Sequence, residues 1–190
     1  MDSQSVKTTG VGGGERGYDG GKKVKGRKRH LLVDTQGLVL NAKVHSANVQ
    51  DPDGVKLLLK PVRTTLPKRL SYVWMDAGYT GEGKGADWVQ RVLGWTAEIV
   101  RHPPKPVPEE VMKIWTREWA KEGVAIDTKE RLPEKGPRPF LPKRWIVERT
   151  FSWLSQNRRM SKDYERLPES GEAFIYAAMS RLMVRRLARS

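Results

Sequence analysis

Between His30 and His45 two β-rich runs, HLLVD and LVLNAKVH, flank a short turn at Thr35-Gln36-Gly37. That is the pattern of a hairpin. Asp51 and Asp53 then stand ahead of GVKLLLKPV, which predicts a short helix capped near one of them and stopped by Pro61. Residues 70–75, LSYVWM, form an apolar run bounded by turn residues, and this predicts a buried central strand. The run ends at Asp76 and the loop AGYTGEGKG follows. Over residues 86–94 the spacing predicts a helical segment with Trp88, Val92 and Val89 inward and Gly94 as its stop. TAEIVRH reads as a further strand, and DSQSVKT, starting at Asp2, as an opening one.

From Pro103 to Pro139 the texture changes, since seven of the chain's twelve prolines lie there. They flank EEVMKIWTREWAKEG, where Val111, Trp115 and Trp119 recur every four residues. The expected arrangement is an insertion over about 103–140 carrying one helix between Pro-rich arms. Tryptophans at that spacing suit packing better than base stacking. Two helices close the chain. One starts near Pro142 and runs through RWIVERTFSWLSQNRRM; the other, after Ser170, is GEAFIYAAMSRLMVRRLAR. This order predicts a single α/β domain over residues 1–190 with a mixed sheet flanked by helices.

Charge sharpens the picture. Thirty-six Lys and Arg against 22 Asp and Glu leave a net charge of +14 in 190 residues, which points to a polyanionic partner, nucleic acid above all. Residues 16–30, RGYDGGKKVKGRKRH, hold seven Lys or Arg and one Asp. Their glycines argue against a helix, so a flexible basic loop or ribbon is expected. Lys22, Lys23, Lys25, Arg27, Lys28 and Arg29 are its candidate phosphate contacts. His30 closes the run, either facing phosphate or serving as an ordinary strand residue. Arg144, Arg149, Arg158 and Arg159 are the candidates in the C-terminal third. No apolar run reaches the ~18 residues a membrane span needs, and MDSQSVKTTG has no secretory core. With no cysteine, disulfides, thiolate metal sites and a Cys nucleophile are excluded. The three histidines share no ligand spacing, so zinc is not expected.

Three carboxylates stand where a metal site would want them. Asp2 begins a strand. Asp76 ends the buried one, and sites in open α/β sheets form beyond the carboxyl ends of strands. Glu148 lies beside the helical stripe of Val147, Phe151 and Leu154. Such oxygen ligands suit Mg²⁺ or Mn²⁺, and a metal pair can clamp the attacking and leaving oxygens of a phosphodiester. Against this, any of 22 acidic residues can be a solvated surface group. Arg144 lies four residues before Glu148, hence on the same helix face. It is either a surface ion pair or a phosphate grip beside a metal-holding Glu. GYTGEGKG imitates a P-loop, but Gly85 stands where the Mg²⁺-holding hydroxyl belongs.

In order, the segments DSQSVKTT, GYDGGKKVKGRKRHLLVDTQGLVL, VHSANVQD, DAGYTG and RWIVERTFSWLSQNRRMSKDYE resemble DDE transposases of the bacterial insertion-sequence four/five superfamily. The likeness is to the catalytic half of the five-type enzymes and is weakest over the Pro-rich insertion. It implies an RNase H-like fold and a catalytic, metal-binding triad of Asp2, Asp76 and Glu148, with Mg²⁺ or Mn²⁺ as cofactor. It also implies cleavage and strand transfer on double-stranded DNA, at transposon ends and target, by a cytoplasmic, nucleoid-associated protein. In the family's Y-x-x-R-x-x-x-E signature, Arg144 and Glu148 match, while Leu141 replaces the Tyr and Ser155 the later basic residue. Such proteins carry an end-recognising region before the first Asp. The chain is therefore expected to be a truncated or frameshift product, served by a homo-oligomer or by a partner frame that supplies that region. The alternative is a non-catalytic DNA-binding remnant or regulator of a full-length transposase. A basic RNA-binding protein would need no metal chemistry at all.

Overall fold

The computed structural model describes residues 1–10, 13–101, 117, 121 and 145–189. The chain divides into two compact units, Met1–Val100 with Pro142–Ser190, and Arg101–Leu141. In the second unit Arg117 and Lys121 are helical and exposed. Val111, Trp115, Trp119, His102, Leu141 and Arg144 lie outside the described residues.

In the first unit, β1 (Asp2–Lys7), β2 (Gly17–Asp19), β3 (Val24–Val33) and β4 (Val39–Ser46) form an antiparallel sheet in which β3 pairs with the other three. The β3–β4 hairpin turns through Gly37, at φ +84. A parallel pair, β5 (Tyr72–Asp76) and β6 (Thr96–Val100), makes a second sheet. One continuous mixed sheet is the expectation; the two sheets instead meet where the Met1 amino group donates to the Trp74 carbonyl at 2.8 Å. A ladder requires successive paired bonds, and this is a single bond from the residue before β1 to the middle of β5.

Helices cover both faces of the larger sheet. Successive strand residues point to opposite sides, so Leu32 packs with Val55, Leu58 and Leu59 of α1 (Asp51–Leu59), whereas Leu31 packs with α3 (Trp145–Ser155) and α4 (Pro168–Leu187). Burying a leucine of this kind stabilises by roughly 1.5–3 kcal/mol. Helix α1 is entered from Gln50, leaving Asp51 and Asp53 in its first turn, where the helix dipole favours negative charge. Its cap therefore differs from the expected Asp. Helix α4 begins at Pro168, earlier than expected, because proline suits the first helical turn.

Two readings of the sequence change more substantially. Val92 is 47% exposed while Val89 is buried. The segment begins as α2 (Gly85–Trp88) but continues as a π-turn over Val89–Leu93, and the wider turn rotates Val92 outward. The basic run is likewise no loop. It forms β2, a tight turn and β3, and Arg27, Lys28, Arg29 and His30 are all buried. Gly26 belongs to this strand because a side chain there would collide with the Val6 carbonyl of β1. Gly26→Val should therefore cost about 1–3 kcal/mol of stability, read as a lower urea midpoint. An unchanged midpoint would contradict the β1–β3 register.

Candidate active site

β1 and β5 bring two carboxylates to one place. Asp2 opens β1 and Asp76 closes β5, and both line a small cleft with Met1, Trp74, Met75, Val100 and Val147. The backbone N–H of Ser3 donates to Asp2 Oδ1 at 2.7 Å, and that of Gly78 to Asp76 Oδ1 at 2.8 Å. The second bond caps the 3₁₀ turn Ala77–Tyr79 that follows β5 and fixes the carboxylate at the strand end. Burial, and then the negative charge of Asp76, push the Asp2 carboxyl up to about 6 against the pull of the Ser3 N–H. Two carboxylates that repel in this way favour a cation between them.

Glu148 sits in the first turn of α3 and is exposed. Its neighbour Val147 lines the cleft with Asp2 and Asp76, but Glu148 is not part of that lining. Among the described residues no group of three Asp, Glu or His side chains is placed to hold a metal ion. The structure thus joins two of the three expected carboxylates and leaves the third beside them on the helix.

Behind Asp2 lies a buried polar network that the sequence reading did not anticipate. Ser3 Oγ and Lys28 Nζ both donate to Asp51 Oδ1 at 2.8 Å, and Lys28 Nζ stands 3.4 Å from Asp19 Oδ2. Lys22 Nζ donates to the Ser3 carbonyl at 3.2 Å. Burial raises Asp51, but the hydrogen bonds from Lys28 and Ser3 outweigh it and hold the group below the ordinary carboxylate range. Asp19 is held at about 2, since bonds from Ser5 and Lys22 and the Lys28 charge overcome its burial.

The rings of His30 and His45 stack, with Nδ1 of the first 2.7 Å from Nε2 of the second. His45 Nδ1 lies 2.9 Å from the Ser46 carbonyl, an acceptor, so that nitrogen carries the proton. His45 Nε2 must then accept from His30 Nδ1–H. His30 Nε2 is left buried with a bare lone pair. Burial and then the neighbouring His45 hold His30 down at about 3.

The expected phosphate contacts separate by depth. Arg27 and Arg29 point to one face of β3, where their guanidinium groups bind the loop after α3 through the carbonyls of Met160, Lys162, Glu165 and Arg166. Arg27 also pairs with Asp163 at 3.3 Å. Lys28 and His30 point to the other face, into the network around Asp51. These four are internal partners and lack the exposure a phosphate contact needs. Lys22, Lys23 and Lys25 are exposed, as are Arg158 and Arg159. Arg159 pairs with Glu165 at 2.8 Å. Arg149 is half-buried and donates to the Gln36 carbonyl at 2.7 Å. The missed signal lay in the alternation of KVKGRKRHLLV, which is that of a strand.

Residues 1–183 match the family described as transposase DDE domain. The chain belongs to that family. No curated protein and no solved structure matches it. Transposase DDE domains act on DNA, and the cleft between β1 and β5 is where this transposase domain gathers carboxylates. Among its described residues no helix is long and apolar enough to cross a membrane.

Proposed function

We propose that this transposase domain cleaves DNA phosphodiesters and transfers strands through Asp2, Asp76 and Glu148, as the catalytic half of a five-type insertion-sequence transposase. The observation that carries the reading is the meeting of Asp2 and Asp76 in one cleft, with Val147 bringing the first turn of α3 to its edge. An RNase H-like core fits the same strands. Three antiparallel strands in the order β4-β3-β1 adjoin, through the Met1–Trp74 bond, a parallel β5–β6 pair.

The donor set fits Mg²⁺ or Mn²⁺. Its atoms are hard carboxylate oxygens, and burial, then the charge of Asp76, raises the Asp2 carboxyl, a cost that a cation relieves. Asp2 and Asp76 would hold the ion, with Glu148 as the third ligand. When bound, it supplies Lewis acidity toward the scissile phosphate. The Ser3 and Gly78 N–H groups hold the two carboxylates in place, and the packing of Val147 and Phe151 holds the helix that presents Glu148.

The test is nicking of duplex DNA carrying the transposon ends in Mg²⁺ or Mn²⁺. Cleavage should fall to background in Asp76→Asn and in Glu148→Gln while both variants keep the parent's thermal midpoint. Metal-dependent cleavage that survives both substitutions would refute the triad. DNA binding with no cleavage by the parent chain would favour the non-catalytic alternative.

A further inference from the structure

Helix α4 is tied to β4 along its first three turns. Glu172 accepts from the Val44 N–H at 3.0 Å and pairs with Lys43 at 2.9 Å, and the Tyr176 hydroxyl accepts from the Ala42 N–H at 3.0 Å. Its last buried residue is Met179, yet the helix continues to Leu187. No Asp or Glu follows Glu172, while Arg181, Arg185, Arg186 and Arg189 do. Arg181 and Arg185 lie one helical turn apart, so like charges stack along one flank, an arrangement that destabilises an isolated helix, and Arg189 follows in the turn after the helix. Met183 and Leu187 fall away from that flank at ~100° per residue. The guanidinium groups of Arg186 and Arg149 also both lie 4.6 Å from the Trp153 ring centroid. A cleft lined by Trp153, Asn157, Arg181 and Arg185 opens between α3 and α4. Among the described residues no carboxylate pairs with Arg181, Arg185 or Arg186.

Positive charge gathered in this way is relieved by an anion. A second copy of the chain would set arginines against arginines, so the occupant must be negative along its length. Duplex DNA carries one charge per ~1.7 Å of its axis, and guanidinium forks bind phosphate oxygens two at a time. We propose that the overhanging end of α4, with Trp153 of α3, is a DNA-backbone docking surface in which Arg181, Arg185 and Arg186 take phosphates. It lies apart from the β1–β5 cleft and fixes the duplex without reading its sequence. The inference rests on the reading of the chain as a transposase domain acting on DNA.

The experiment is a salt titration of binding to random-sequence duplex DNA, followed by fluorescence anisotropy. The triple variant R181Q/R185Q/R186Q should flatten the slope of log K against log[salt] by about 2.7, since each lost phosphate contact removes about 0.9. R181K/R185K/R186K should keep the parental slope. The control K60Q/R63Q/K68Q removes the same charge from exposed positions after α1 and should also leave the slope unchanged. Equal flattening in the α4 triple and this control would assign binding to net charge and overturn the docking surface. A parental slope in the α4 triple would overturn it as well, leaving the transposase reading intact. Binding to phosphatidylserine vesicles in place of DNA, lost in the α4 triple, would give the flank to a membrane and overturn the proposal. A parent chain that binds no DNA would overturn the transposase reading and this surface with it.

Discussion

Arg27→Ala should destabilise the domain by roughly 3–5 kcal/mol, the usual cost of removing one partner from a buried ion pair. Arg27 is fully buried in β3 and Asp163 is 2% exposed. The guanidinium donates from Nη1 to Asp163 Oδ2 at 3.3 Å and to the Glu165 carbonyl at 2.9 Å. From Nη2 it donates to the carbonyls of Gly14 and Arg166, at 2.8 and 2.9 Å. Alanine leaves a buried carboxylate and three carbonyls without these donors, and water cannot replace them without opening the loop after α3. Urea unfolding measures the loss. Pairing Arg27→Met with Asp163→Leu should recover only the part of the loss due to the stranded Asp163 carboxylate, because the three carbonyls still lack donors and the buried Arg29 loses the nearby Asp163 charge. A DNA contact would behave in the opposite way. Stability would stay within about 0.5 kcal/mol, as for surface substitutions, and the salt slope of DNA binding would drop by about 1. That pattern would sink the buried role.

The fate of Arg27 shows where sequence reasoning reaches its limit. The 30–45 hairpin was legible because alternation and turn chemistry are local, and the end of β5 at Asp76 was legible for the same reason. The basic run had the same alternation, but seven positive charges dominated the reading. Asp19, inside the run, reaches Lys28 across the β2–β3 turn, but the other neutralising partners come from distant segments, Asp51 at the start of α1 and Asp163 after α3. Nothing in the spacing of residues 16–30 announces them. Val92 escaped prediction because a π-turn changes the period within a single helical segment. At the candidate site, strand order decides that Asp2 and Asp76 share a cleft, and strand order is not written in any one motif. The histidines gave no ligand pattern because antiparallel pairing of β3 with β4 is what stacks His30 on His45.

That histidine pair should make acid the domain's weak side. Burial, then His45, holds His30 at about 3, against an ordinary 6.5, and burial also lowers His45. The folded state therefore refuses protons that the unfolded chain accepts. Their contribution to stability is complete above pH 6.5 and is lost as pH falls toward 3, at about 1.4 kcal/mol per pH unit for each proton. Asp2 acts with the opposite sign. Raised to about 6, it takes its proton first in the folded state, so acidification from pH 6 to about 4 stabilises the fold by a similar amount per unit and masks much of the histidine loss. Asp19, held at about 2, adds its own loss only below pH 4. Asp2→Asn removes the mask. From urea unfolding at neutral pH and at pH 4.5, the variant should lose about 2 kcal/mol more than the parent over that interval. A variant whose stability is level from neutral pH to pH 4.5 would mean that His30 and His45 accept protons inside the fold, and the neutral stacked pair behind Asp2 would be wrong.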